Sequence, residues 1–512
     1  MNQELERQYL KLQNGSDVRG VAMEGVEGET VNLTSEQACY IAAAFVEYVA
    51  ELCGKKTEEL KISVGHDSRL SADELKAGAL EGIKKTGALS VDCALASTPS
   101  MFMSTVLPEL DYDGAVMITA SHLPFNRNGL KFFTKRGGLE SKEIKALLTR
   151  AAGLAETGLT QKKEQETVKL DLLSHYSAAL REVICRELET EEKDQPLSGM
   201  HFVVDASNGS GGFFAEQVLA PLGADINGSI FLDPDGTFPN HVPNPENKKA
   251  MDCIREATLK NHADLGIIFD TDVDRAATVF PDGREINRNT LIALMGAIVA
   301  RTAPGSTVVT DSVTSDQLTE FLEKRLGLKH HRFKRGYRNV INESIRLNQE
   351  GVESCLAIET SGHGALKENY FLDDGAYMSV KILCEAVRSK RAGRSIKDML
   401  SGLQEAAESR EYRISIQTED FKGYGAMVLE QFQTFAAGEE QFHIVEPNYE
   451  GVRVSFDDEE VKGWMLIRMS LHDPLLPLNI ETEKEGGAAV VVKRLKPFFE
   501  GFDKLDLKVL DN

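Results

Sequence analysis

Asp270-Thr271-Asp272-Val273-Asp274-Arg275 places three carboxylates at alternate positions directly after the apolar run Leu265-Gly266-Ile267-Ile268-Phe269. Carboxylates this close repel one another unless a cation lies among them. Hard oxygen donors in this number suit Mg²⁺, which keeps open positions for phosphate oxygens. With each letter near one in twenty, D-x-D-x-D-R arises by chance in only ~0.003 of chains of this length. A calcium loop of the EF-hand type needs glycine and glutamate where Arg275 and Pro281 stand. A second group follows Met117-Ile118, where Ser121 adjoins His122 and Lys131 comes ten residues on. A serine at a strand end is a candidate nucleophile, and a lysine beside other cations in a closed site can act as acid or base. A third, Glu359-Thr360-Ser361-Gly362-His363, sets a carboxylate and a hydroxyl on a glycine turn, a pattern that suits sugar hydroxyls and equally suits a helix cap. In Arg468-Met469-Ser470-Leu471-His472-Asp473-Pro474, an arginine closely followed by a hydroxyl suits a phosphate clamp.

Such residues need a scaffold that brings distant loops to one edge. Short apolar runs alternate with amphipathic segments along most of the chain. Ile62-Ser63-Val64, Gly114–Ile118, His201–Val204, Leu265–Phe269, Ser306–Val309 and Ser354–Ile358 read as buried strands. Helical spacing recurs at Ser71–Lys85, Ala215–Leu222, Lys248–Lys260 and Thr314–Arg325. That alternation predicts α/β domains, whose ligands gather beyond the carboxyl ends of strands. After about residue 407 the pattern changes to period-two alternation, in Arg413–Ile416, Gly451–Phe456 and Trp464–Met469, with a helix from about Glu485. The expected architecture is three similar mixed or parallel-sheet α/β domains, 1–195, 196–303 and 304–407, then a smaller α+β domain, 408–512.

Composition narrows the function classes. Lys and Arg total 58 against 80 for Asp and Glu, a net charge of −22. Such a chain is repelled by a phosphate backbone and by anionic lipid, so neither nucleic acid nor membrane is an expected partner. A small anion remains admissible, because local cations act within a Debye length. No stretch approaches a membrane span, and the acidic start Met1–Arg7 does not read as a signal peptide. The seven cysteines are scattered with no C-x-x-C, which predicts reduced thiols and a cytoplasmic setting.

Taken in order, these loops resemble the α-D-phosphohexomutase superfamily, which includes phosphoglucomutase, phosphomannomutase and phosphoglucosamine mutase. The resemblance spans nearly the whole chain. It adds Asp17-Val18-Arg19-Gly20, Gly65-His66-Asp67-Ser68-Arg69, Pro234-Asp235-Gly236-Thr237-Phe238-Pro239 with Pro243-Asn244-Pro245, and Lys334-Arg335-Gly336. It implies four domains around a central cleft and a phosphoserine at Ser121, with Lys131 or His122 as base, Lys131 preferred. It further implies a phosphate contact at Arg19 and Mg²⁺ on Asp270, Asp272, Asp274 and the serine. Arg275, Lys334, Gly336, Glu359, Ser361, His363, Arg468, Ser470 and His472 would bind substrate. The implied reaction interconverts hexose 1- and 6-phosphates (glucose, mannose or both) through a hexose 1,6-bisphosphate, in a monomer or homodimer. Phosphoglucosamine is the alternative substrate.

The chain departs from the family pattern at Leu123, where asparagine is usual before Pro124, and at Thr271 and Val273, where small residues are frequent. In the last loop Leu471 and His472 replace glycine and threonine, and Pro477 falls where a later arginine is expected. Glycine there lets backbone N–H groups approach an anion, so Leu471 alters the clamp. A Mg²⁺-dependent phosphatase and a non-catalytic sugar-phosphate sensor are the competing classes. Against the first, the aspartates lie in mid-chain behind a serine loop; against the second, Ser121, Lys131 and all three aspartates are kept.

Overall fold

The computed structural model describes residues 2–163, 165–470 and 473–511. Leu471 and His472 therefore lie outside the described residues. The chain divides into two compact units. One holds the residues up to Asn287 together with Ser361–Asp398; the other holds Arg288–Thr360 and the stretch from Met399 onward.

In the first unit, strand Gly114–Ile118 is buried along its whole length. It runs parallel to Lys61–His66, which is parallel to Leu89–Leu95, and antiparallel to Arg127–Thr134. Helix Ser35–Cys53 covers this sheet. Thr34 and Gln37 form its capping box, and Gly54 closes it at φ 64°. Its apolar residues join Ile62, Val64, Val116, Ile118, Leu130 and Phe132 in one core. Register then fixes chemistry: Lys131 pairs with Met117, so Lys131 lies beside the strand whose end delivers Ser121. A second sheet pairs Phe202–Asp205 parallel with Leu265–Phe269, and the latter antiparallel with Ala276–Val279. The three aspartates occupy that hairpin's turn.

In the second unit, Lys329–Arg332, Thr307–Thr310 and Ser354–Ile358 are parallel neighbours. Their carboxyl ends deliver Lys334–Gly336, Asp311-Ser312 and Glu359 to one edge. The remaining sheet is antiparallel, with Val452–Asp457, Lys462–Ile467, Leu475–Thr482 and Glu408–Ile416 in order, and helices Phe421–Gly438 and Gly487–Phe499 share its core. The α/β class with an α+β terminal domain is thus observed.

Two helices differ from the periodicity. Over Ala215–Leu222 the chain winds as a wide turn, Phe214–Leu219, then a tight one, Ala220–Leu222. Pro221 lacks the N–H that would bond the Gln217 carbonyl, and Arg181 Nη1 donates to that carbonyl instead, at 2.6 Å. The helix expected from Thr314 starts at Asp316, because the Ser315 hydroxyl caps it by accepting from Leu318 N. Its last turn, Phe321–Arg325, is wide and ends before Gly327, at φ 69°. No helix among the described residues is long and apolar enough to cross a membrane.

Candidate active site

In the first unit the structure brings Ser121, His122, Lys131, Asp270, Asp272, Asp274 and Arg275 together. Ser121 is buried and stands at φ 49°, a left-handed backbone that serine seldom adopts. Its N–H donates to Thr119 Oγ1 at 2.9 Å. Its hydroxyl donates to Asp270 Oδ2 at 2.9 Å and accepts from Arg275 Nη2 at 3.2 Å. Arg275 also pairs with Asp270 through Nε at 3.1 Å. The serine oxygen therefore lies between a carboxylate and a guanidinium, where phosphoryl oxygens would meet positive charge.

Lys131 Nζ donates to Asp272 Oδ2 at 3.1 Å and Asp274 Oδ2 at 2.5 Å, all three side chains being buried. Thr98 Oγ1 donates to Asp272 as well. The other oxygens, Asp272 Oδ1 and Asp274 Oδ1, are buried and accept no hydrogen bond. Ligand atoms of Asp270, Asp272 and Asp274 lie within 4.8 Å of one another. Buried carboxylate oxygens without donors are costly unless a cation takes them up. The donor set thus fits a hard divalent ion.

Electrostatics separate the three acids. Burial and the Asp274 charge push the Asp270 carboxyl well above its ordinary range. Burial acts in the same sense on Asp274, but Lys131, His363 and Arg275 outweigh it and hold this group low. His122 lies exposed at the rim. Loss of water around its inner side and the guanidiniums of Arg275 and Arg19 hold its imidazole below the ordinary range. Arg275 Nη2 lies 2.6 Å from His122 Nδ1, which accepts that hydrogen bond. A nitrogen so engaged is a poor base.

Arg19 reaches this loop by donating to the Thr119 carbonyl at 3.0 Å, and pairs with Asp17 at 2.8 Å. Ser361 is buried on the turn that enters the hairpin Gly364–Leu366/Leu372–Asp373. His363 bridges to Arg275 through the backbone, and its Nδ1 lies 2.5 Å from Asp373. Burial lowers His363, but Asp373 and Asp274 raise it to about 9.

In the second unit, Glu359 is buried and accepts from Gly336 N at 2.5 Å, with Gly336 at φ 116°. Lys334 lies over the Phe333 ring. Arg468 is buried; its Nη1 donates to Met469 O at 3.2 Å, while its Nε finds no acceptor. Such a guanidinium favours an anion. Gly451 must be glycine beside it: a Cβ there would lie 2.0 Å from Ile467 O and 2.8 Å from Arg468 Cα. The Ser470 hydroxyl accepts from Asp473 N at 3.2 Å. His472 falls outside the described residues.

Residue chemistry alone does not single out Thr98, Asp373 or Glu450. Glu450 accepts from Ser312 Oγ and, at 2.8 Å, from Arg335 N. Three residues on, the buried Arg453 guanidinium lies 3.7 Å from the Trp464 ring centroid and donates to Ser312 O, Thr314 O and Asp316. The partners of Thr98, Glu450 and Arg453 are more than a hundred residues away, and no local spacing encodes them; Asp373 meets His363 ten residues back, across the hairpin that follows it.

Models described as phosphoglucomutase/phosphomannomutase, alpha/beta/alpha domains I, II and III, match residues 11–156, 174–283 and 287–406. A phosphomannomutase/phosphoglucomutase of Pseudomonas aeruginosa is 29% identical over 497 residues, covering 96% of each chain. A phosphoglucomutase/phosphomannomutase of Thermococcus kodakarensis is 29% identical, covering 91% of this chain and 94% of its own. A solved phosphoglucomutase/phosphomannomutase family protein from Burkholderia thailandensis shares the fold, at TM-score 0.75 and 24% identity, over 96% of this chain and 97% of its own. With three consecutive domain models spanning most of its length, the chain belongs to the phosphoglucomutase/phosphomannomutase family.

Proposed function

We propose that this chain interconverts hexose 1-phosphate and hexose 6-phosphate, of glucose, mannose or both, by carrying a phosphoryl group on Ser121. The observation that carries this reading is the Ser121 hydroxyl held between Asp270 and Arg275, beside three buried aspartates, two of whose oxygens accept no hydrogen bond. Mg²⁺ on Asp270, Asp272 and Asp274 would supply charge that offsets the developing negative charge of phosphoryl transfer. Arg275 adds a second positive contact to the serine oxygen, which must leave as the phosphoryl group departs.

Lys131 is the base we assign. Two carboxylates hold its ammonium. A cation held by those carboxylates would draw their charge away from the buried ammonium and favour the neutral amine. Lys131 then accepts the proton of the attacking sugar hydroxyl, the new O–P bond forms, and the bond to Ser121 Oγ breaks. The product of that half-reaction is a hexose 1,6-bisphosphate. The reverse step at the other phosphate restores phosphoserine and releases the isomer. His122 is assigned to orienting Arg275. Arg19 and Arg468, with Ser470, are assigned to anion binding. Glu359, Ser361, Lys334 and His363 are assigned to the sugar and its phosphate, Gly336 to holding Glu359. We place the reaction in the cytoplasm.

A product assay tests the reading. Protein, Mg²⁺ and a trace of hexose 1,6-bisphosphate are mixed separately with glucose, mannose and glucosamine 1-phosphates. The expected result is 6-phosphate from the glucose or mannose substrate. Glucosamine 6-phosphate as the main product selects the alternative substrate. Free phosphate in place of a 6-phosphate identifies a phosphatase, and no conversion of any of the three contradicts the proposal.

A further inference from the structure

We infer that Arg69 is the positioning residue of Ser121, and that the loop carrying Gly236 and Phe238 keeps Arg69 in place. The inference rests on Ser121 being the phosphoryl carrier. Arg69 is buried, its side chain enclosed completely. Its Nη1 donates to Pro124 O at 2.8 Å and Arg127 O at 3.0 Å. Its Nη2 donates to Leu123 O at 2.6 Å and to the carbonyl of Ser121 itself. One planar group thus gathers four carbonyls spread over Ser121–Arg127. Asp67 faces Arg69 Nε at 3.4 Å and accepts from Arg69 N at 2.9 Å, which fixes the arginine from the other side.

Ser121 needs such a brace. Its φ of 49° is a strained backbone for a residue with a side chain, and strain of this kind persists only where neighbours over-determine it. Arg69 holds the Ser121 carbonyl, and Thr119 Oγ1 holds the Ser121 N–H at 2.9 Å. With both ends of the residue fixed, the Ser121 hydroxyl meets Asp270 and Arg275. If the carbonyl were free, the peptide could rotate towards an ordinary conformation and move Oγ.

The brace is itself held by a distant stretch. The Phe238 ring lies 5.4 Å from the Arg69 guanidinium carbon. Gly236 sits so close to the 68–70 backbone that a Cβ would lie 2.4 Å from Ser68 O and 2.6 Å from Leu70 N. His241 on the same stretch anchors to Asp205 at 2.9 Å. Lysine cannot replace the arginine, because three donors on one nitrogen cannot reach four separated carbonyls.

The test measures kcat, KM and melting temperature for R69K, R69M and F238A at saturating Mg²⁺ and trace hexose 1,6-bisphosphate. Misplacing a reacting group by an ångström costs about a hundredfold, so kcat of R69K falls roughly tenfold to a hundredfold while KM stays within about twofold. R69K keeps more activity than R69M. F238A, half-buried and outside the hydrogen-bonded fan, folds and loses kcat by a smaller factor with KM unchanged. R69K at wild-type kcat overturns the role of Arg69, and so does a loss of kcat in step with a rising KM and a falling melting temperature. If R69M fails to fold, R69K and F238A still decide. A folded F238A with wild-type kcat removes the loop from the account. S121A separates the two levels: turnover retained there breaks the reading of the site, whereas an inactive S121A beside an unimpaired R69K breaks only this inference.

Discussion

Replacing Lys131 by methionine should have opposite effects on catalysis and on the benefit from metal. Lys131 Nζ contacts Asp272 at 3.1 Å and Asp274 at 2.5 Å, with side-chain exposures of 6%, 0% and 1%. Methionine keeps the length of the side chain and removes the charge. Removing one partner of a buried ion pair costs about 3–5 kcal/mol. In a unit of a few hundred residues each kcal/mol moves the melting temperature by about 2–4 °C, so the metal-free variant melts roughly 10 °C lower. Mg²⁺ should return most of that loss, because the carboxylates regain a cation and no longer share it with an ammonium. Turnover should nevertheless fall by about 10²–10⁴, the usual contribution of a positioned base. The assay is a melting curve with and without Mg²⁺, beside steady-state rates. Turnover within tenfold of wild type would refute the base assignment. Equal stabilisation of both proteins by Mg²⁺ would refute the sharing of carboxylates between lysine and cation.

Three further outcomes are expected. Val273 is buried at φ 67°, a genuine outlier for a β-branched residue. Glycine normally costs about 0.5–1 kcal/mol more than alanine in regular structure, but here it escapes about 1–2 kcal/mol of left-handed strain. V273G should therefore be at least as stable as V273A in urea, and the opposite order by a kcal/mol or more would contradict the strain. Asp374 is raised to about 6 by burial, although Tyr176, Tyr377 N and Asn369 donate to it. A carboxyl with a raised folded pKa binds its proton more tightly when folded, so stability falls as pH rises from about 4 to 6, by about 3 kcal/mol. D374N should flatten that slope; an unchanged slope assigns it elsewhere. R453M takes the buried donors from Ser312 O and Thr314 O, at a cost of about 1–3 kcal/mol for each carbonyl left without one, while the half-exposed Asp316 turns to water. Trp464, the one tryptophan in the chain, lies against it and reports the transition by fluorescence. A midpoint in urea equal to wild type would show that this contact contributes little.

What the sequence discloses and what it hides follow from the range of the interactions. Strand Ser354–Ile358 and helix Lys248–Lys260 stand where local pattern places them, because burial on both faces or on one face writes itself into adjacent letters. Three carboxylates after an apolar strand are visible for the same reason. The wide turn at Phe214–Leu219 is not, since it depends on Pro221 together with Arg181, a residue from another helix. The pairing of Lys131 with Asp272 and Asp274 depends on two separate sheets, and spacing along the chain says nothing of it. The Arg69 fan is hidden in a different way. Its acceptors are backbone carbonyls, which every sequence supplies and none advertises. The altered loop at Leu471 and His472 is legible as letters alone.

The central claim is that Ser121 carries the phosphoryl group between sugar positions, and a pulse-chase tests it most directly. The protein is loaded with a radiolabelled phosphoryl group from hexose 1,6-bisphosphate, freed of small molecules, mapped by peptide, and chased with unlabelled glucose 1-phosphate. The account predicts label on the peptide containing Ser121, none in the S121A variant, and transfer of the label into glucose 6-phosphate and the bisphosphate during the chase. Label that maps to another residue, or that leaves the protein as inorganic phosphate while the sugar remains unlabelled, would contradict it.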